Sequence, residues 1–268
     1  MAELIAGLIG IAIGAIGTLI GAGGGFLLAP LLLLVEPRWS TEVVTGYSIA
    51  VVAANASTGA FSYYRMRRID IRSFPLFALA ATPGAVVGAL LTATLPREVF
   101  DIVFGLVLAV IGGWLALRRA GNPGKAARQH ATVRDFTDAA GIRHVWSFDL
   151  RLGVACSAAV GFLSSLLGIG GGIVHVPILA TVLAFPPHVA TATSHAVLAV
   201  TAIVATVIHV VHGDYGSDTP LVLATCAGAI AGAPIGARFS SRVPGAIILR
   251  VLGASLAAVG ARLLIQAL

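Results

Sequence analysis

Ser194 and His195 close the stretch Ala190-Thr191-Ala192-Thr193-Ser194-His195 and put a hydroxyl beside an imidazole inside a long apolar segment. Those groups suit two chemistries. One is hydrogen bonding to a small anion by neutral donors, with an imidazole that titrates near neutrality and offers proton coupling. The other is nucleophile and base of an intramembrane hydrolase. Adjacent helical residues point about 100° apart, so Ser194 and His195 form no direct dyad, and the hydrolase reading must pair Ser194 with His209 instead. The chain has no Gly-x-Ser-x-Gly elbow, His-Glu-x-x-His zinc motif or P-loop. No catalytic residue, metal ligand or cofactor is therefore assigned, and transport driven by ATP within this chain is excluded.

Two glycine clusters carry the stronger signal. Gly-Ala-Gly-Gly-Gly-Phe-Leu-Leu-Ala-Pro at 21–30 lines up with Gly-Ile-Gly-Gly-Gly-Ile-Val-His-Val-Pro at 168–177. Each glycine costs a helix about 1 kcal/mol relative to alanine, so contiguous ones should interrupt it. Broken backbone is tolerated inside a bilayer only where protein covers it or it lines a wet cavity, and the amides opening the next half-helix favour anions. Glycines that merely bring helices together are usually spaced by a turn. We therefore expect Gly23, Gly24, Gly25, Gly170, Gly171 and Gly172 to line a shared mid-membrane site. Thr45, Ser48, Asn55, Thr191, Thr193, Ser194 and His195 follow the breaks as donors, although a Ser or Thr inside a helix commonly bonds back to its own helix.

The elements that must position these residues are membrane spans. The 268 residues are 58% hydrophobic and 10% charged, with a mean hydropathy of +0.98, against about 25% charged in a soluble domain. Uncharged runs such as 43–64, 74–94 and 219–237 match the ~20 residues a spanning helix needs. The net charge of +6 collects in loops rather than on a basic, aromatic-studded face, so positive-inside topology explains it and nucleic acid is not expected as a partner. Met1-Ala2-Glu3 lacks a basic n-region, so the first segment is expected to stay in the protein. Cys156 and Cys226 lie in apolar runs and read as small hydrophobes.

Gly84 and Gly88 in one half answer Gly232 and Gly236 in the other. The reading is an all-α polytopic membrane protein of two homologous repeats, 1–118 and 151–268, each with about four to five helical segments including a Gly-rich broken helix. Eight and ten segments both remain open. The charged stretch 119–150 reads as a cytoplasmic, partly disordered linker. The Arg65–Arg72 cluster falls on the same side, two spans away, while Asp214 and Asp218 mark an external loop, which favours inverted copies.

The paired glycine segments followed by proline, the Ala190–His195 stretch and the Gly84 and Gly232 helices resemble the sulfite exporter TauE/SafE family over nearly the whole chain. Thr45-Gly46-Tyr47-Ser48 stands in the first half where Ala192-Thr193-Ser194-His195 stands in the second. The resemblance implies a multi-pass protein of the cell inner membrane that exports sulfite or small organosulfonates. A homo-oligomer is compatible with the sequence.

Overall fold

The computed structural model describes residues 1–36, 38–92, 94–117, 131–215 and 218–267. Among them are ten helices: α1 (Ala2–Ile20), α2 (Gly25–Val35), α3 (Thr41–Arg65), α4 (Phe74–Thr92), α5 (Arg97–Leu117), α6 (Leu150–Leu166), α7 (Gly172–Pro177), α8 (Pro187–His212), α9 (Thr219–Ser240) and α10 (Gly245–Ala267). A π-helical turn, Ile178–Val182, continues α7 past Pro177. Five helices, α1, α3, α4, α8 and α9, are long and apolar enough to cross a membrane. Leu79, Val110, Val207 and Leu223 point outward from the bundle, a surface that hydrocarbon solvates better than water. The protein is an all-α polytopic membrane protein.

Glycines spaced by a helical turn set the pairings. On α9, a Cβ at Gly228, Gly232 or Gly236 would overlap the carbonyl of Gly7, Ile11 or Ala15 in turn, so α1 and α9 run parallel with their backbones in contact. The α4–α6 pair is built the same way, Gly153 against Phe77 and Gly88 against Phe162 and Leu166. By contrast α3 and α8 are antiparallel, with Gly59 beside His195 and Gly46 beside His209, and so are α5 and α10, with Gly105 beside Gly260 and Gly112 beside Gly253. The third and fifth helices of one half thus run opposite to the third and fifth of the other. Because α1 packs on α9 and α4 on α6, the halves interlock through exchanged partners.

These directions show what the short helices do. α1 and α3 both start at the end of the bundle where α9 starts, since Gly7 faces Ala224 and Tyr47 Oη bonds Thr225 Oγ1 at 2.7 Å. The chain between, α1 then α2, therefore enters and leaves by one end as a re-entrant hairpin. The α6–α7 hairpin enters from the other end.

Residues 131–149, part of the stretch read as a partly disordered linker, form a β-hairpin. Strands β1 (Thr132–Thr137) and β2 (Arg143–Phe148) pair antiparallel, Thr132 opposite Phe148. Alternation along β2 buries His144, Trp146 and Phe148. Their face packs on Phe77 of α4 and on Phe185, with Trp146 and Phe148 ring centroids 4.9 and 4.8 Å from Phe185. Burying each large ring contributes roughly 1.5–3 kcal/mol. At the turn, Asp138 accepts from the Ala140 and Ile142 amides (2.9 and 3.0 Å) and from Arg68 Nε (3.2 Å), while Arg68 also donates to Ser241. The turn thereby ties the α3–α4 loop to the α9–α10 loop. Arg118, Arg119, Lys125 and Arg128 of the expected linker lie outside the described residues.

Candidate functional site

The two glycine breaks form the centre of the molecule. α1 ends on Gly21, whose amide bonds back to the Gly17 and Thr18 carbonyls, and Gly23 and Gly24 turn the chain into α2 with φ of 76° and 83°. Gly168 and Gly170 turn the second break with φ of 63° and 67°. Only glycine takes such angles without strain. The two tips touch. A Cβ on Gly172 would overlap the Gly21 carbonyl oxygen and lie 2.6 Å from Ala22 Cα, and one on Gly25 would lie 2.6 Å from the Ile169 carbonyl oxygen.

Val52 of α3 and Leu198 of α8 cover this joint, each lying against both Gly23 and Gly170. Both are buried, so hydrocarbon seals the centre in this conformation. Each tip also meets a threonine of the long helix from the other half. Thr45 packs on Gly168 and Thr191 on Gly21.

Polar side chains gather on both flanks of the seal. On one, Thr18 Oγ1 donates to Asn55 Oδ1 at 2.8 Å and lies 3.4 Å from His195 Nε2, while Tyr63 Oη donates to the Thr18 carbonyl at 2.6 Å. Tyr63 also meets the His195 ring edge-on, with centroids 5.8 Å apart. Gly59 makes room for that ring, since its Cβ would stand 2.5 Å from His195 Nε2. On the other flank, Ser157, Ser164, His175, Ser194 and Thr201 surround a cavity of about 10 Å³, room for about one water. There Ser157 Oγ lies 3.0 Å from His175 Nε2, and Ser164 Oγ accepts from the Gly171 amide. No charged side chain lines either flank among the described residues.

Several buried polar atoms around the joint have no hydrogen-bond partner: Asn55 Nδ2, Thr191 Oγ1, Ser194 Oγ and His195 Nδ1. Each such atom costs about 1–3 kcal/mol if it stays unsatisfied. Groups of this kind are completed by ordered water or by a bound solute.

The expected residues divide accordingly. Gly23, Gly25, Gly170 and Gly172 meet at the joint, whereas Gly24 faces Ile13, and Gly171 faces Val160 and Ser164. Asn55, Ser194 and His195 flank it, with Ser194 on one side and His195 on the other. Ser48 Oγ reaches the Gly25 carbonyl at 3.4 Å. Thr45 bonds back to Thr41 at 2.7 Å, the ordinary fate of a helical threonine. Thr193 Oγ1 accepts from the Asp70 amide at 3.0 Å and so belongs to the loop contact rather than to the centre.

Thr18, Tyr63, Val52, Leu198, Ser157 and Ser164 were not foreseen. Ser157 and Ser164 had a usable signal, since residues seven apart share a helix face. His209 sits at the far end of α8 with Nδ1 2.6 Å from Asp214. It lies on the same helix as Ser194, 15 residues on and so about 22 Å away, too far for the hydrolase pairing. The Ser157–His175 contact is no substitute, because the Ser157 hydroxyl donates to the Gly153 carbonyl at 2.8 Å and no carboxylate orients the ring among the described residues. Among those residues no group of His, Cys, Asp and Glu is placed to hold a metal ion.

Re-entrant hairpins are tolerated at membrane depth where protein buries them, and broken helices of this kind build the sites of membrane transporters. The sulfite exporter TauE/SafE family matches residues 6–263, and the chain belongs to that family. It is 28% identical over 272 residues to a probable membrane transporter protein, YunE, of Bacillus subtilis, covering 99% of this chain and 98% of that one. It is similar also to a probable membrane transporter protein of Xylella fastidiosa (32% over 176 residues, 65% of this chain and 59% of that one). A third relative is the probable membrane transporter protein MJ0441 of Methanocaldococcus jannaschii (26% over 201 residues, 73% and 68%). No solved structure matches the chain.

Proposed function

We propose that this transporter moves a small anion, sulfite or a small organosulfonate, out across the cell inner membrane by alternating access at the joint between the two glycine breaks. The observation that carries the reading is the set of partnerless buried donors, Asn55 Nδ2, Thr191 Oγ1 and Ser194 Oγ, around an uncharged centre. An anion held by neutral donors gains hydrogen bonds without a buried countercharge, so it is also released readily. The Val52 and Leu198 side chains are then the barrier that must part, and the two hairpins the elements that rock. Antiparallel α3 and α8, and antiparallel α5 and α10, support two inverted repeats of five helices. His195, in reach of Thr18 and Asn55, is the group through which a proton gradient would couple.

Flux into proteoliposomes, screened with sulfite, sulfate, thiosulfate and two-carbon sulfonates with and without a pH gradient, tests the proposal. Sulfite or a sulfonate should move faster than in protein-free vesicles, and Asn55→Leu should reduce the difference at low anion concentration. A protein that accelerates none of these anions is not the exporter described.

A further inference from the structure

The loop between α3 and α4 and strand β1 together enclose a second basin, of about 540 Å³, at the β-hairpin end of the bundle. It lies apart from the glycine breaks. Arg65, Arg67, Arg72 and Arg134 line it, with Ile69 and Phe136 as its main apolar contacts. Positive-inside topology accounts for basic residues at such an end, but it accounts neither for a cavity nor for the way the charges in it are paired.

Both acidic residues of the basin are already committed. The Asp70 carboxylate accepts from Ser73 Oγ at 2.6 Å, from the Arg72 and Ser73 amides at 3.2 Å each, and from Arg134 Nε at 3.2 Å. Asp135 is held by Arg143 through two bonds of 2.9 and 2.5 Å. Arg134 in turn donates to Ser73 Oγ and stacks 5.7 Å over the Phe148 ring, which fixes it in the wall. That leaves Arg65, Arg67 and Arg72 with no carboxylate partner among the described residues, all three lining the basin. Arg67 takes a left-handed φ of 53°, a backbone state few non-glycine residues adopt.

Guanidinium groups without carboxylates, lining a cavity together with apolar side chains, match the planar, multi-donor recognition of phosphate or sulfonate oxygens. We infer that this basin is a binding site for an organic anion with a phosphate or sulfonate group on an apolar body, held by Arg65, Arg67 and Arg72 with the body against Phe136 and Ile69. Such a group reaches it either as an acidic phospholipid headgroup or as a water-soluble anion. Its occupant spans the α3–α4 loop and the β-hairpin. The inference does not depend on what passes through the central joint.

Calorimetric titration of the detergent-purified full chain with phenyl phosphate and with benzenesulfonate is the test, at matched melting temperature across variants. The wild type should bind at least one probe saturably. Arg72→Gln and, separately, Arg67→Asn, which keeps a residue tolerant of the left-handed backbone, should each weaken it about tenfold. Arg238→Gln, a charge removed from the exposed end of α9, should change it less than about twofold. Repeating the titration in nanodiscs of phosphatidylcholine, with and without phosphatidylglycerol, separates the sources. Weaker probe binding in the acidic discs identifies a lipid headgroup as the occupant, and unchanged binding a soluble anion. No saturable binding of either probe, wild-type affinity in both arginine variants, or an equal loss in Arg238→Gln overturns the assignment.

Discussion

Replacing Gly172 by alanine inserts one methyl group between the two hairpin tips. Its backbone is helical, so alanine is locally acceptable and even favoured by about 1 kcal/mol. The Cβ, however, would overlap the Gly21 carbonyl oxygen and stand 2.6 Å from Ala22 Cα, where ordinary carbon contacts lie at about 3.5–4.0 Å. The obstructing atoms are backbone and cannot rotate away, so the tips must part by about 1 Å. Overpacking of this kind costs roughly 1–3 kcal/mol. Gly113→Ala on α5 supplies the control, because a Cβ there meets nothing within 4 Å. We expect Gly172→Ala to lower anion flux in proteoliposomes about tenfold or more at matched insertion, with weaker anion binding in detergent and a reduced melting temperature. Gly113→Ala should match the wild type in all three. If Gly172→Ala loses only thermal stability while anion affinity and flux are unaltered, the tips are packing surfaces and the proposed site is wrong.

Asn55→Leu removes an amide whose Nδ2 is buried without a partner but whose Oδ1 accepts from Thr18, so anion affinity should fall about tenfold while stability falls by no more than the roughly 1–3 kcal/mol of the stranded Thr18 hydroxyl; calorimetry and thermal melts on one preparation decide this. At the β-hairpin, burial pushes the Asp138 carboxyl up, but the bonds from Ile142, His144, Ala140 and Arg68 outweigh it and leave it below the ordinary carboxylate value of 3.8. A depressed carboxylate stabilises above its unfolded pKa and loses that contribution as pH falls through the folded one, so hydrogen-exchange protection of residues 132–148 should hold at pH 6 and fade below about pH 4. Asp138→Asn strands the buried Arg68 and should destabilise the hairpin by about 3–5 kcal/mol at neutral pH, read as lost protection there. For topology, Ala139→Cys should resist an impermeant thiol reagent applied to intact cells and His212→Cys should react; the opposite pattern reverses the orientation.

The hydropathy of the chain and its two glycine clusters made the membrane class and the helix breaks legible, because each is local. A run of apolar residues must leave water, and contiguous glycines cannot hold a helix. Turn-spaced glycines at 84, 88, 232 and 236 likewise announced close crossings, though not that Gly232 and Gly236 would meet α1. The alternation of His144, Trp146 and Phe148 held the β-hairpin in plain view, masked by the charges around it. Pairing was a different matter. That the Gly172 and Gly21 tips touch, that Val52 and Leu198 cover them, and that Ser194 and its neighbour His195 serve opposite flanks all depend on helices distant in sequence arriving together. Thr45 and Thr193 look alike in the sequence, yet one bonds its own helix and the other the Asp70 amide, because only tertiary packing decides which acceptors and donors lie within 3 Å of a hydroxyl. A residue's type fixes what it can bond, and the fold fixes what is there to be bonded.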